Sequence, residues 1–209
     1  MNNSLALKGV LGASCLGTVA TGGYLINKNY GSGRETLRTL LKDVSLINDK
    51  SSNHWKTIFE EYKKDPDLIN ELKLKKSDLS SNTTNSEAAP FVSAWCEEKL
   101  NLSTSTPEKE QILSRIKKWC VTQPNTIKEK LDSLGKAAVS DWKVKYEAIK
   151  DDSLFQEIKT LADSFTSESD KEKGGSALDK WCTSNSAKHT WEDGASGIFE
   201  KAKTRCLSN

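Results

Sequence analysis

The sequence predicts an all-α protein with a single N-terminal transmembrane helix and a body made of two copies of one helical unit. Three observations predict this architecture. An uncharged stretch near the N-terminus has the length of a membrane span. Apolar residues in the rest of the chain recur at helical spacing, without the Val, Ile and Thr runs typical of strands. Trp and Cys residues recur at one fixed interval, which indicates an internal duplication.

The composition excludes several classes of protein. The chain has 209 residues, of which 35% are hydrophobic and 29% charged, and this is too polar for a polytopic membrane protein. The net charge of +2 is spread without a basic block, so the sequence predicts no nucleic-acid partner. Six Trp residues argue against a disordered chain.

Residues 9–26 carry no charge and lie between Lys8 and Lys28. A helix over these 18 residues reaches roughly 27 Å, close to the bilayer hydrocarbon thickness of about 30 Å. Tyr24 falls near the end of the stretch, where an aromatic ring can occupy the membrane interface. We therefore predict a single-pass anchor in the lipid bilayer, with residues 1–33 forming the anchor and a juxtamembrane linker.

Other interpretations of this segment are a cleaved secretory signal, a lipoprotein signal ending at Cys15, and a buried Gly-rich helix. Gly12-Ala13-Ser14 supplies the small residues that precede a lipidated cysteine. The apolar stretch continues well beyond Cys15, however, whereas a lipoprotein signal normally ends its apolar stretch there. The uncleaved anchor is the interpretation that we favour.

The duplication is visible in residue spacing. Trp95-Cys96 and Trp181-Cys182 lie 86 positions apart, and so do Cys120 and Cys206. The interval from Trp55 to Trp142 is 87, so the first copy has one extra residue, most simply Pro66. Aligning residues 55–73 with 142–159 gives 8 identities in 18 pairs, where chance gives about one. The predicted repeats are residues 34–121 and 122–209.

Each copy carries four apolar stripes of helical period. The first stripe is Leu37, Leu40, Leu41, Val44 and Ile47, matched by Ile127, Leu131, Leu134 and Ala138 in the second copy. The second stripe, from Trp55 to Tyr62, is followed by Asp65-Pro66, an N-cap and first-turn proline that restart the helix. The third and fourth stripes contain the Trp-Cys pair and the later cysteine. Polar stretches over 77–89 and 164–176 are predicted loops, either solvated connections or variable surface loops.

Four cysteines outside the predicted anchor occur as two pairs with a separation of 24, Cys96 with Cys120 and Cys182 with Cys206. If the third and fourth helices form an antiparallel hairpin, disulfides within each copy are the simplest of the three possible connectivities. Each closed loop then stabilises the fold by roughly 3.5 kcal/mol. The alternatives are four buried thiols, or metal or redox chemistry. A zinc site lacks C-x2-C spacing, and neither His54 nor His189 recurs in the other copy.

Disulfides imply an oxidising compartment, so we expect the body to be extracellular. A count of Lys28, Arg34 and Arg38 against Lys8 and the amino terminus favours a cytoplasmic body instead. Long domains translocate largely regardless of such counts, and we give the cysteines more weight.

The other chemistry-bearing residues have structural explanations. The six Trp residues lie mostly on apolar stripes, which predicts a core role rather than ligand stacking or haem contact. Thr190 and Asp193 have the spacing of a capping box at a helix start. Residues 121–125 are either a hinge or a turn between helices. No carboxylate pair lies in an apolar setting, so we assign no catalytic, cofactor-binding or metal-binding residue.

A resemblance to known sequences covers the whole chain. The start Lys8-Gly9-Val10-Leu11-Gly12, the apolar stretch ending Gly22-Gly23-Tyr24-Leu25, and the paired Trp-Cys in a Lys, Glu, Ser and Thr-rich body resemble the paralogous hypothetical proteins of haemotropic mycoplasmas. The resemblance implies a membrane-associated or cell-surface role, with host interaction or antigenic variation. It implies no catalytic residues.

We therefore predict a non-enzymatic, membrane-anchored surface protein that takes part in host interaction, adhesion or antigenic variation. Its partners would be the bilayer, through residues 9–26, and a host surface or serum protein. One alternative is a thiol-redox factor or another enzyme, which for thiol chemistry requires Cys96 or Cys182 to be exposed. The other is an intracellular scaffold tethered to the membrane, in which the cysteines would be free thiols.

Overall fold

The computed structural model describes residues 35–208, which belong to one compact unit. The predicted anchor over residues 9–26, together with Cys15, lies outside the described residues. None of the helices within 35–208 has both the length and the apolar character that crossing a bilayer requires. We refer to residues 35–121 as the first half and to residues 122–208 as the second half.

The described part of the chain is all-helical and contains no β-strand, as the apolar spacing predicts. The first half contains a 3-10 helix over Leu37–Leu41, then α1 (His54–Tyr62), α2 (Pro66–Lys73), α3 (Asn85–Leu100) and α4 (Lys109–Trp119). The second half contains α5 (Ile127–Asp132), α6 (Trp142–Ile149), α7 (Asp152–Ile158), a 3-10 turn over Lys159–Leu161, α8 (Lys171–Ser186) and α9 (Ala195–Arg205).

The two halves have equivalent elements in the same order. Helices α8 and α9 begin and end 86 residues after α3 and α4. The backbone contacts between elements recur as well: Leu37 N donates to Leu102 O at 2.9 Å, and Ile127 N donates to Lys188 O at 3.0 Å. In each half, the first helical segment thus contacts the turn between the last two helices.

Local caps set the starts of the two long helices. Thr84 and Glu87 form a reciprocal capping box at the start of α3, and Asp170 accepts the backbone N–H of Lys173 at the start of α8. The polar stretches 77–89 and 164–176 are therefore loops only in part, and the prediction that all of each is a loop was wrong. Their last residues are helical, because a capped N-terminus satisfies backbone donors despite the polar composition.

Equivalent caps also correct the alignment of the copies. Asp65 caps α2 by accepting the N–H of Asp67, and Asp151 caps α7 by accepting the N–H of Leu154. These caps lie 86 positions apart, whereas α1 and α6 end 87 positions apart, at Tyr62 and Ile149. The extra residue of the first half therefore lies in the connection before the cap, residues 63–64, and is not Pro66.

The predicted first stripe is helical only in part. It forms a short 3-10 helix in the first half and the six-residue α5 in the second, and Leu40 and Leu134 are 48% and 44% exposed. After these short helices, each half continues as a non-helical segment. This segment pairs with the residues that follow the last helix of the same half, through isolated bridges from Leu46 to Val121 and from Ala138 to Leu207. Pairing with a second backbone segment replaces the helical hydrogen bonds that the apolar period predicted.

Each half has its own hydrophobic core. One cluster of buried apolar side chains runs from Leu37 to Cys120 and the other from Ile127 to Leu207. Four Trp residues are buried in these cores, namely Trp55, Trp95, Trp119 and Trp181. Trp142 and Trp191 are only half-buried. A core role is therefore correct for four of the six.

Helices α6 and α8 approach each other closely at Gly174. A Cβ atom on Gly174 would lie 2.3 Å from Cε1 of Tyr146, so no larger residue fits without a shift. The Tyr146 hydroxyl donates to the Glu168 carbonyl at 3.0 Å, which fixes the ring. The first half has Ala88 and Phe59 at the equivalent positions. The same helix contact is therefore filled by a glycine and a tyrosine in the second half, and by an alanine and a phenylalanine in the first.

Candidate functional site

The four predicted cysteines form two disulfides within the halves. The sulfurs of Cys96 and Cys120 are 2.02 Å apart, and those of Cys182 and Cys206 are 2.06 Å apart. The bond joins the long helix α3 to the residue that ends α4 in the first half, and α8 to the residue that ends α9 in the second. This is the hairpin pairing expected from the spacing. All four cysteines are buried, at 6% exposure or less.

Burial defines what these bonds can do chemically. Thiol–disulfide exchange requires a thiolate to reach a sulfur atom, and the core side chains around both bonds block such an approach. Within residues 35–208, no group of three or more His, Cys, Asp or Glu side chains is arranged to hold a metal ion. The geometry of the cysteines is that of structural cross-links.

A glutamate fixes a tryptophan in each half. Glu71 accepts the indole N–H of Trp95 at 2.8 Å, and Glu157 accepts that of Trp181 at 3.1 Å. A cation from the last helix completes each cluster. In the first half Arg115 donates to Glu71 at 2.6 Å. In the first half these contacts join α2, α3 and α4. In the second half the equivalent contacts join α7, α8 and α9.

The second cluster is the more strongly charged. Arg205 donates to Glu157 at 2.9 Å, and Lys201 donates to the same carboxylate at 3.0 Å. The hydrogen bond from Arg205, aided by that from Lys201, outweighs desolvation and lowers the pKa of Glu157 to about 2. Glu157 therefore stays ionised throughout the physiological range and is not suited to act as a general acid.

One position changes character between the halves. Trp119 packs edge-to-face against Trp95, with ring centroids 5.0 Å apart. Its counterpart in the second half is Arg205, whose guanidinium carbon lies 4.5 Å from the Trp181 ring centroid. An aromatic pair is thus replaced by a cation–π contact, and the guanidinium also reaches Glu157. The same helix contact is kept by a different interaction.

The two halves meet through polar groups. Those of α1 in the first half contact those of the start of α9, and of the segment before it, in the second half. Glu60 is 2% exposed, and its Oε1 accepts the N–H and hydroxyl of Ser196 at 3.1 and 2.9 Å. Its Oε2 accepts Lys63 Nζ at 2.6 Å and Asn85 Nδ2 at 3.1 Å. Burial raises the pKa of Glu60, but these hydrogen bonds outweigh it and leave the pKa below its ordinary value.

Thr190 and Asp193 belong to this junction and do not cap α9. Thr190 lies 3.1 Å from the Thr57 hydroxyl and donates to the Pro124 carbonyl at 2.6 Å. Asp193 accepts the backbone N–H of Asn85 at 3.0 Å. Helix α9 begins later, at Ala195, after Gly194 in the left-handed region. The predicted capping box was wrong, because tertiary partners compete for both side chains.

Residues 121–125 form a turn held from both sides. The backbone N–H of Gln123 donates to His54 Nδ1 at 3.3 Å, and the Pro124 carbonyl accepts the Thr190 hydroxyl. Val121 and Thr126 each take part in an isolated bridge with their own half. These contacts hold the connection between α4 and α5 in place.

Trp142, at the start of α6, lies in an open groove between α6 and α8. The groove has a volume of about 560 Å³, and Asp179 and Glu172 of α8 stand along its wall. Within residues 35–208, the indole N–H of Trp142 and the carboxylate of Asp179 have no hydrogen-bond or ion-pair partner. Lys143 pairs with Glu172 across the rim. We call this feature the Trp142 groove.

The equivalent space in the first half is covered by the chain itself. Trp55 is 3% exposed, and its indole N–H donates to the Asp49 carbonyl at 2.8 Å. Only a cavity of about 80 Å³ remains there, beneath Asn48 and Lys50. The difference arises from loop length: nine positions separate the bridging residue Leu46 from Trp55, but only four separate Ala138 from Trp142.

Sequence reasoning missed the junction and the Trp142 groove. The glutamates at 71 and 157 were among the aligned identities, which is a signal that their charge has the same partner in each copy. The groove had a weaker signal, namely the unequal number of residues before the two matched Trp residues. Glu60 gave none, because its counterpart Glu147 is identical yet exposed.

Comparison of the chain with protein-family models, with curated proteins and with solved structures finds no match.

Proposed function

We propose that the chain is a non-enzymatic, single-pass surface protein, anchored in the bilayer through residues 9–26, with an extracellular body that binds a host surface or serum protein. Adhesion and antigenic variation are the roles that the resemblance to proteins of haemotropic mycoplasmas favours. The proposal combines a membrane segment predicted from sequence with the chemistry of the described body. Each part has its own support.

The paired disulfides are the observation that carries the proposal. Each half has one disulfide in its core, between Cys96 and Cys120 and between Cys182 and Cys206. Disulfides persist in oxidising compartments and are rare in the reducing cytosol. A body that depends on two such cross-links fits the outside of the cell. Their burial also favours a structural role over the thiol-redox alternative.

We further propose that the body arose by tandem duplication, with repeats over 34–121 and 122–209. Support comes from the matching order of the helices, the equal disulfide spacing of 24 and the repeated backbone contacts. Duplication leaves one copy free to change its surface while the shared frame keeps the fold. The difference between the buried Trp55 and the half-buried Trp142 fits such a division.

Thiol counting and protease shaving test the proposal together. We expect the full chain, purified without reductant, to show no reactive thiol at Cys96, Cys120, Cys182 or Cys206 after denaturation, and four after reduction. We expect protease added to intact cells to remove the body. Disruption of the cells before digestion should make no difference to the fragments.

A variant with Cys182→Ser and Cys206→Ser, compared in the same assay, controls for thiols that are merely buried. It should lose two of the four thiols released by reduction and none of those present before it. Four reactive thiols in the unreduced, denatured wild-type chain would indicate the intracellular scaffold. A body that survives protease on intact cells, but not after lysis, would also contradict surface display.

A further inference from the structure

Helix α6 exposes surfaces whose counterparts on α1 are covered. Thr57 and Glu60 of α1 face the second half and are 3% and 2% exposed. Their counterparts 87 positions later are Val144, which is 65% exposed, and Glu147, which is also exposed. The Trp142 groove lies at the start of the same helix. The second half therefore leaves two surfaces of α6 uncovered, the Trp142 groove beside α8 and the side that carries Val144 and Glu147.

The first half shows what fits such a groove. There, the chain turns over the indole of Trp55: the Asp49 carbonyl accepts the N–H of Ser52 at 3.2 Å and the indole N–H of Trp55 at 2.8 Å. The next residue, Lys50, reaches across to α3 and pairs with Glu97 at 2.6 Å. The occupant is thus a short, non-helical peptide segment that offers one carbonyl and one cationic side chain. Trp142 has the same donor without the acceptor.

The charge of the Trp142 groove and its rim favours a cationic occupant. The lining residues include four carboxylates and two ammonium groups. Asp179 is half-buried and has no ion-pair partner within the described residues, whereas its counterpart in the first half is the buried Ser93. A Lys or Arg side chain placed beside Asp179 would satisfy this carboxylate.

The side of α6 that carries Val144 and Glu147 does not favour a second copy of the chain. The junction between the halves places Glu60 on Ser196. Repeating that contact between chains would place Glu147 against Glu110, the counterpart of Ser196 in the first half. Two carboxylates would then meet where the junction has a carboxylate and a hydroxyl, and like charges repel. Head-to-tail association through this face is disfavoured.

We propose that the Trp142 groove binds a short, basic peptide segment of a partner protein. A backbone carbonyl of the segment accepts the Trp142 indole N–H, and a Lys or Arg side chain faces Asp179. This inference names the partner chemistry of the binding role proposed above and rests on it. It is tested with purified protein, so its failure is distinguishable from a failure of the predicted membrane topology.

The probe is an immobilised library of linear nine-residue peptides, made in matched pairs with either Lys or Glu at the central position and otherwise randomised. The full chain is applied in detergent micelles. We expect the Lys member of the bound pairs to bind at least about fivefold more tightly than the Glu member, the value of one moderate ion pair. Added NaCl should reduce this preference by screening.

Two variants and one control locate the binding. Asp179→Asn should remove most of the preference for Lys, while Asp163→Asn, the same change at an exposed site outside the groove, should not. Replacing Ser140 with the six residues Asn48 to Asn53 grafts the covering loop of the first half onto the second. The graft should abolish binding and protect Trp142 from quenching by acrylamide.

Three outcomes would overturn the proposal. The first is that no peptide binds, or that Lys and Glu members bind alike. The second is that the loop graft covers Trp142, as quenching reports, yet leaves peptide binding unchanged. The third is a dimer of the wild-type chain, seen by sedimentation, that the graft converts to a monomer, because the groove is then occupied by a second copy.

Discussion

The buried carboxylate of Glu60 accepts both the backbone N–H and the hydroxyl of Ser196, at 3.1 and 2.9 Å, and so joins the two halves of the body. Each half has a separate hydrophobic core, and the contacts that connect the halves are largely polar. Polar contacts fix orientation through hydrogen-bond geometry, whereas an apolar interface would tolerate sliding. The relative position of the halves therefore depends on a small number of groups.

Replacing Glu60 by Gln keeps the side-chain volume but removes the negative charge that accepts hydrogen bonds from Ser196 and Lys63. We expect this change to lower the free energy of unfolding by about 2 kcal/mol, the usual range for a buried charge-assisted network. Urea unfolding measures the loss, and hydrogen exchange at the Ser196 amide should become faster. Glu110→Gln is the control, since this side chain is 84% exposed. Equal stability of the two variants would contradict the role of Glu60.

The two disulfides should contribute similar amounts of stability. Both close a loop with a sequence separation of 24, so we expect each double Cys→Ala variant to lose about 3.5 kcal/mol on the chain-entropy model. The measurement is urea unfolding of the variant lacking Cys96 and Cys120 beside that lacking Cys182 and Cys206. Either variant retaining the stability of the wild-type chain would show that its bond is not a structural cross-link.

Glu157 should make stability depend on acid. Its pKa is about 2 in the folded protein against an ordinary 4.5, so the stabilisation is complete above the ordinary value and is lost as pH falls from about 4.5 toward 2. We expect the wild-type chain to lose about 2 kcal/mol more than Glu157→Gln over this range, after allowing for the partial exposure of the carboxylate.

The matched control for this experiment is Glu200→Gln, since Glu200 is 65% exposed and pairs with Lys203 on the same helix. Unfolding is followed by the fluorescence of the buried Trp residues at a series of pH values. If the Glu157 and Glu200 variants show the same dependence on pH, the ion cluster does not contribute to stability as described.

The ring of Tyr146 leaves no space for a side chain at position 174. Gly174→Ala should lower the free energy of unfolding by about 1–3 kcal/mol, because the added methyl overpacks the contact between α6 and α8. Tyr146→Phe frees the ring from the Glu168 carbonyl, so the double variant should be more stable than the sum of the single changes predicts. Thermal unfolding of all four proteins tests this coupling, and strict additivity would refute it.

Two glycines of the α9 region should respond in opposite directions to alanine. Gly194 has φ +88° and Gly197 is inside the helix, and neither would place a Cβ atom within 4 Å of another group. Gly194→Ala should therefore cost about 1 kcal/mol through backbone strain alone. Gly197→Ala should gain up to about 1 kcal/mol from helix propensity. Thermal unfolding distinguishes them, and a shift of the same sign in both would contradict this account.

The sequence by itself determined the helical class, the interval of 86 between matched residues and the pairing of the cysteines. These features depend on local periodicity, on caps and on spacing within one hairpin, so residues close in sequence are enough to specify them. The capping residue Asp65 is an example, because Asp before Pro predicted the start that α2 has in the structure.

Only the tertiary structure decided which surfaces of the equivalent helices are covered. Glu60 and Glu147 are the same residue at the same helix position, yet one is buried at the junction and the other is exposed. Trp55 and Trp142 differ in the same way, because a loop of different length precedes each. Burial depends on which segment of the folded chain arrives at a surface, and that is a property of packing between distant residues rather than of local pattern.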